Sequence, residues 1–440
     1  MKIRNIIAAT AMGAIAGSAF AAAAAAQDSI YVPLFTYRTG AFSGSGIPIA
    51  NGMHDYLDML NERDGGIGGV KLVVEECETG YDTKKGVECY ETVKDKKPVM
   101  TNPYSTGITL QIIPKAAVDK IPILSMSYGL SASANGTYFP WVFNTPATYW
   151  DGASVFIRYI AQKEGGTDKL KGKKVGLVHL DAPYGKEPIP ILEALAKDYG
   201  FELVLYPVPA AEMQNQSSLW LNVRRDKPDW IYMQGFGAMN PTAVKEAAKI
   251  GYPMDHFIGN WWAGNEADAV GPEGKGYMSL SYSNIGTDFP VIQDIQKYVV
   301  NKGKGQTPKD QVGLNFYNRA VYNGILIAEG IRNAQKITGK KVVTGEDVRR
   351  GLETINLSEA RLKELGAGGF APTTRVTCED HNGHNEVFLL QWDGAKWVKA
   401  SDYIKPITEK VIPLADAAAK EYAEKNAGWP ARTETCDKSS

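Results

Sequence analysis

Three loops concentrate the side chains that could hold a small solute. They are residues 39–46, 104–107 and 125–131, each rich in hydroxyl groups and small residues. Ser105, Thr106 and Gly107 stand directly before a helical stretch, so hydroxyls and backbone N–H groups there can face an anion at a helix N-terminus. The same residue types also serve as ordinary helix caps. Three such loops in one half of the chain point to a site for a carboxylate-sized group. Aromatic residues follow apolar runs in the other half: Tyr184, Phe236, and the adjacent Trp261 and Trp262. Aromatics just past successive strands suggest the wall of an apolar pocket. Tyr149 and Trp150 lie between the two halves, and Trp150 suits ordinary core packing.

Residues for bond-making chemistry are few. The 39–46 loop lacks the Lys-Ser/Thr ending of a phosphate loop, and its glycines do not make G-x-G-x-x-G. No G-x-S-x-G or H-E-x-x-H is present. His179 with Ser105 would be a hydrolase pair without a motif behind it. Cys378, His381 and His384 have metal-like spacing, but Gly383 makes the run turn-like, and solvated loop histidines explain it as well. The chain reads as a binding protein rather than an enzyme, with no cofactor and no metal.

The elements that must position these loops follow from hydrophobic periodicity. Strand-like runs at 30–36, 69–76, 99–102 and 121–126 alternate with helical runs at 47–61, 83–94 and 108–119. Ile49, Met53, Tyr56, Leu57 and Leu60 mark one helical face. The pattern restarts after Tyr149, with helices at 151–163, 184–199, 217–225 and 241–250. Strands there fall at 174–180, 201–208, 230–234 and 256–259. Further helices are expected at 289–302, 315–335 and 345–354, and a hairpin at 387–392 and 396–403. Two successive runs of this kind predict an α/β protein of two similar lobes with parallel-sheet cores. In such sheets ligands sit outside the carboxyl ends of the strands, where the three loops fall.

Composition sets the context. The 440 residues are 44% apolar and 22% charged, which suits a globular chain of two or three domains. Lys plus Arg is 48 and Asp plus Glu 49, so no basic field exists for nucleic acid. Lys2 and Arg4, the apolar run over 6–26 and the Ala24-Ala25-Ala26 ending read as a secretory signal, with Gln27 the mature start. No cysteine follows the cut, which argues against a lipid anchor. No later run reaches the ~18 apolar residues of a membrane span. A periplasmic location follows, and there four cysteines favour two disulfides. Three pairings are possible. Cys77–Cys89 is preferred, closing a short loop worth ~3 kcal/mol in the chain-entropy model. Cys378–Cys436 would then pin the C-terminal tail.

The order of several short motifs resembles a known family. They are Thr39-Gly40-Ala41-Phe42 with Asn51-Gly52, then Leu60-Asn61-Glu62-Arg63-Asp64-Gly65-Gly66-Ile67-Gly68-Gly69 and Tyr81-Asp82-Thr83. Ile121-Pro122-Ile123-Leu124-Ser125, Asp181-Ala182-Pro183-Tyr184-Gly185, Lys227-Pro228-Asp229-Trp230-Ile231-Tyr232 and Gln391-Trp392-Asp393-Gly394 continue it. Over the whole mature chain this is similar to the periplasmic solute-binding proteins of ABC importers, in the branched-chain amino acid (leucine/isoleucine/valine-binding) family. The resemblance implies two Rossmann-like lobes joined by a three-crossover hinge, the type I periplasmic binding fold, closing on its ligand. The expected division is 1–26 signal peptide, 27–148 with 280–380 as N-terminal lobe, 149–279 with 381–407 as C-terminal lobe, and 408–440 as an extension. That extension reads as a strap over the second lobe with a helix at 410–425. The partner implied is a membrane permease, and a monomer is the family default.

By the family pattern, the ligand carboxylate falls to Ser105 or Thr106, Ser127 and Gly129, with Tyr104 and Tyr128 in the same loops. Tyr184 and Phe236 match second-lobe positions that close over the ligand. One departure bears on specificity. Amino-acid binders of the family carry an acid after the Phe-x-Gly strand, whereas this chain reads Phe257-Ile258-Gly259-Asn260-Trp261-Trp262. A buried ammonium would lack a partner, which disfavours a free amino acid. The bulky family residue of the first loop is reduced to Ser45. With Trp261 lining the other end, an aromatic carboxylate of the hydroxybenzoate or phenylpropanoid type is expected. A branched-chain amino acid or small amide is the alternative, with Glu266 or Asp268 supplying the acid, Trp261 a cation–π face, and Arg38 an extra carboxylate partner. An exported hydrolase using Ser105 or His179, and a soluble sensor of the same fold, are the competing functions.

Overall fold

Short apolar runs bounded by glycine, proline or a capping hydroxyl build this chain, and the computed structural model describes residues 29–436. The expected signal segment, 1–26, lies outside the described residues. In chain order the elements begin β1 Ser29–Thr36, α1 Ser43–Asp64, β2 Lys71–Glu78, α2 Thr83–Lys94, α3 Thr106–Asp119, β3 Ile123–Leu124 and β4 Val142–Phe143. The second run is α4 Tyr149–Glu164, β5 Lys174–Leu180, α5 Pro183–Lys186, α6 Ile189–Tyr199, β6 Glu202–Val208, α7 Ser217–Asp226, β7 Trp230–Gln234, α8 Met239–Lys249, β8 Phe257–Gly259 and β9 Met278–Ser281. Then come α9 Pro290–Tyr298, α10 Asn315–Thr338, α11 Gly345–Leu352, β10 Asn356–Leu357, α12 Glu359–Glu364, β11 Thr374–Arg375, β12 Phe388–Trp392, β13 Trp397–Lys399 and α13 Thr408–Lys425.

β1 pairs with β2 and β3 with β4, all in parallel. Single bridges, Leu34 to Asn102 and Thr101 to Ile123, join these pairs into one array. The second sheet has seven strands in the order β13-β12-β9-β8-β7-β5-β6, parallel from β9 to β6 and antiparallel at β12 and β13. The chain passes between the sheets after β4, after β9 and before β12, giving a mixed α/β architecture of two lobes and three crossovers. α10 returns to pack along α1 on the first lobe.

Most elements follow their local signals. Asp82 caps α2 by accepting from Lys85 N, Ser105 caps α3 through Ile108 N, and Thr148 with Asp151 forms a capping box on α4. Left-handed Gly65, Gly165 and Gly200 end α1, α4 and α6. Several expectations need correction. The strand expected over 121–126 is confined to Ile123–Leu124, and the second hairpin strand expected over 396–403 to Trp397–Lys399. The helix expected over 184–199 is two helices, because Pro188 lacks an N–H and clashes with a preceding turn, so α6 restarts after it. The helix expected over 289–302 ends at Tyr298, where Val299 leaves the helical region and a short 3₁₀ turn follows. The strand expected over 99–102 is reduced to the bridging Thr101 and Asn102, since prolines at 98 and 103 supply no ladder donor.

Both disulfides pair as expected, Cys77 with Cys89 and Cys378 with Cys436. The first ties β2 to α2. The second fixes the tail, whose path differs from the expected strap over the second lobe alone. α13 starts on that lobe, with Lys410 Nζ 2.7 Å from Asp198 and Ile407 N donating to Ser154 Oγ. Its 18 residues span about 27 Å, enough to reach the other lobe. There Tyr422 and Trp429 pack on Phe139, Trp429 Nε1 donates to Tyr138 O, and Arg432 pairs with Glu353. Among the described residues no helix is long and apolar enough to cross a membrane.

Candidate functional site

The two lobes meet over the carboxyl ends of their parallel strands, and ten residues there line a narrow, tightly closed space. The first lobe contributes Tyr37 after β1, Tyr81 after β2, Tyr104, Ser105 and Thr106 at the start of α3, and Tyr128 after β3. Tyr149 at the start of α4, Tyr184 in α5, Phe236 after β7 and Trp262 after β8 complete the wall. The rings touch in sequence around the space. Tyr81 and Phe236 lie 5.4 Å apart between centroids, Phe236 and Trp262 6.3 Å, Trp262 and Tyr128 6.3 Å, and Tyr128 stacks on Tyr104 at 5.6 Å. Tyr37 meets Tyr81 edge-on at 5.0 Å, and Tyr149 meets Tyr184 edge-on at 5.4 Å.

No lining residue carries a charge. Burial raises the phenols of Tyr37, Tyr128, Tyr149 and Tyr184 far above their usual range, so they stay neutral donors and acceptors. Some hydroxyls are spent behind the wall. Tyr128 donates to Asn102 Oδ1 at 2.6 Å and accepts from Tyr104 N; Tyr184 donates to Gly235 O at 2.8 Å; Tyr104 accepts from Asn323 Nδ2 at 2.7 Å. The hydroxyls of Tyr81 and Tyr149 instead approach Ser105 and Thr106. Four hydroxyls thus gather at the N-terminus of a 14-residue helix, a donor set suited to a carboxylate.

The ten residues singled out in the sequence divide at this cavity. Tyr104, Ser105, Thr106, Tyr128, Tyr184 and Phe236 are in the lining, and Ser45, Ser127, Gly129 and Trp261 are not. Ser45 is buried on α1, one residue from Gly46, whose lack of a side chain admits Tyr37: a Cβ there would lie 2.1 Å from Tyr37 O. Ser127 faces the lobe interface, where its carbonyl accepts the indole N–H of both Trp261 (2.9 Å) and Trp262 (3.2 Å). Gly129 N donates to Thr106 Oγ1 at 3.2 Å, one layer behind the lining hydroxyl. Trp261 and Trp262 share a 3₁₀ turn, in which adjacent side chains point about 120° apart. Trp261 therefore turns inward, stacks on Tyr149 at 5.8 Å, and fills space left by Gly152.

Tyr37, Tyr81 and Tyr149 enter the lining without having been assigned there, and Trp262, named with the strand-end aromatics, takes the wall position given to Trp261. The strand-end rule that picked the hydroxyl loops points equally to Tyr37 and Tyr81, which follow β1 and β2. The three residues held as alternative ligand partners are engaged elsewhere. Arg38 makes a two-pronged pair with Glu76 and donates to Asn51. Glu266 accepts from Asn315 N, and Asp268 accepts from Asn240 Nδ2 and Asn265 N. His179 is buried with Nδ1 3.0 Å from Leu180 O and is absent from the lining that Ser105 joins. At the hinge, His384 Nδ1 lies 2.8 Å from the buried Asp151, and Cys378 is spent in its disulfide.

The closed cleft is latched at several points. Ala238 N donates to Ala41 O, Asn265 Nδ2 to Gly44 O, and Ser131 N and Oγ donate to Glu187 across the opening. Burial pushes the Glu187 carboxyl up to about 7, against the lowering effect of the Ser131 donors. The other groups at this point are the Trp150 indole, which donates to Glu187 O, the neutral Tyr149 phenol, and Lys186, paired with Asp181. Opening exposes Glu187 and returns it toward its ordinary 4.5. The sign follows: closure is favoured below that value and disfavoured as pH rises through 7. Ligand affinity is expected to fall about tenfold or more between pH 5.5 and 8.5. Glu187→Gln, which keeps an acceptor for Ser131, is expected to flatten that dependence, measured by calorimetric titration at each pH.

Comparison with known proteins agrees with this architecture. The sequence profile of a periplasmic binding protein family matches residues 29–396. A solved structure described as an ABC transporter permease from the Pseudomonas fluorescens group is 38% identical, covers 93% of this chain and 100% of its own, and superposes with a TM-score of 0.86. A branched-chain amino acid ABC transporter protein from Thermus thermophilus with bound valine is 20% identical, with coverage of 88% and 99% and a TM-score of 0.74. A solute-binding protein from R. palustris in complex with benzoate is 17% identical, with coverage of 86% and 97% and a TM-score of 0.67. The last two share the fold while holding different ligands, so the ligand question rests on the cavity itself.

Proposed function

Because the chain belongs to the periplasmic binding protein family, we propose that it is the exported solute-binding receptor of an ABC importer and that its solute is a small aromatic carboxylate of the hydroxybenzoate or phenylpropanoid type. The solute would be caught by closure of the two lobes and delivered to a membrane permease. The observation that carries this reading is the lining: eight aromatic rings, four hydroxyls at the start of α3, and no acid to receive an ammonium. A carboxylate would accept from Ser105, Thr106, Tyr81 and Tyr149 with help from the helix dipole. A planar ring would slide between Phe236, Trp262 and Tyr128, and the narrow space favours a thin solute over a branched one. An amino acid would bring its ammonium against ring faces alone, with Glu266 and Asp268 both engaged away from the lining.

A thermal-shift screen of the mature chain tests this, since a ligand that binds only the folded form raises the midpoint. The panel holds benzoates, phenylpropanoids, branched-chain amino acids and small amides. Stabilisation by the aromatic acids is expected. Thr106→Ala, which removes one hydroxyl donor, is expected to weaken their binding about tenfold, near 1.5 kcal/mol for a bond to a charged group. Stabilisation by leucine or valine in place of the acids would overturn the ligand assignment.

A further inference from the structure

Behind the Trp262 wall of the cavity sits a full charge that no lining residue supplies. Arg319 lies on α10 and is completely buried. Its guanidinium carbon is 5.3 Å from the Trp262 ring centroid, 5.2 Å from Tyr282 and 5.0 Å from Phe316. It donates to Trp261 O, to Ser281 Oγ and to Asn315 Oδ1, all neutral acceptors. Its Nε has no partner. The acid whose charge reaches it is the half-buried Glu266, bonded through one oxygen to Asn315 N and with its other oxygen buried and without a partner. Burial pulls the Arg319 guanidinium down only to about 10, so it stays charged at neutral pH.

We propose that Arg319 is the charge-selecting residue of the cleft, favouring an anionic solute over its neutral isostere through the Trp262 ring without touching the solute. The cavity wall is neutral, so this cation sets the sign of the field inside it. Rings on three sides of the guanidinium exclude water, and a charge one ring away acts far more strongly there than across solvent. A cation held against an aromatic face also polarises that face, leaving its other side less attractive to a second cation. The inference rests on the reading of the cavity as a small-carboxylate site and adds the residue that makes it one.

The test is calorimetric titration of the mature chain with matched acid and amide pairs: benzoate with benzamide, 3-methylbutanoate with 3-methylbutanamide, and leucine alongside. The wild-type protein is expected to prefer the acid of a pair by about tenfold or more. Arg319→Met is expected to bring that ratio within about threefold of unity, and Arg319→Lys to keep it. Each ratio compares two ligands on one variant, so a general loosening of the fold cancels. An undiminished acid preference in Arg319→Met overturns the inference and leaves the ligand reading standing. Preference for 3-methylbutanoate over benzoate, with the ratio still collapsing in Arg319→Met, overturns the aromatic assignment and upholds the role of Arg319. Wild-type preference for an amide or leucine, or binding of no acid, overturns both.

Discussion

Trp262→Ala is expected to weaken ligand binding at least about 100-fold, near 3 kcal/mol. The indole does two things at once. Its face closes the cavity between Phe236 and Tyr128, at 6.3 Å from each, and its N–H donates across the cleft to Ser127 O. Large aromatics that are fully desolvated on closure carry a disproportionate share of binding energy. Alanine removes the wall and the latch together, and it leaves Arg319 facing the cavity without its shielding ring. Trp262→Phe separates the two contributions. It keeps a ring and loses the N–H, so a loss of about tenfold is expected. Titration calorimetry reads both variants, and the thermal midpoint without ligand reports any loss of fold. If both variants bind as tightly as the parent, the solute does not sit against this wall.

Removing the Cys378–Cys436 bridge by changing both residues to serine is expected to cost about 4 kcal/mol of stability. The bridge closes 58 residues, and in the chain-entropy model a loop of that length restricts the unfolded chain strongly. It holds the end of a strap that begins on the second lobe and finishes on the first. Without it, the Trp429–Phe139 contact and the Arg432–Glu353 and Arg349–Glu434 pairs must hold the tail alone. Denaturant unfolding gives the stability, and reduction of the parent protein, which opens both bridges, should cost more than this pair of substitutions alone. A smaller effect is expected from Cys77→Ser with Cys89→Ser, about 3 kcal/mol, because that loop spans 12 residues. Equal effects from the two pairs would show that loop length does not govern their contributions.

The sequence by itself determined the features that are written locally. Alternating apolar runs placed β1, β5, β7 and α2 within a residue or two, because side-chain periodicity is a property of neighbouring positions. Ser105 announced the start of α3 through its capping chemistry. Four cysteines led to the two bridges, and the strand-end rule led to seven of the ten lining residues. Where a local signal was read too generously, as over 184–199, a proline supplied the answer within the same stretch.

What tertiary structure alone decided are the contacts between residues far apart in the chain. Trp261 and Trp262 are chemically identical neighbours, and only the shape of the lobe interface sends one to Tyr149 and the other to the cavity. Glu187 meets Ser131 across the opening, and Arg319 reaches the Trp261 turn from a helix returning to the other lobe. The tail crosses from Asp198 to Phe139 because a helix of its length spans the gap between lobes that the two sheets set. Periodicity fixes which face of an element is buried. It holds no information about which distant face it is buried against, and that pairing is settled by packing two finished lobes together.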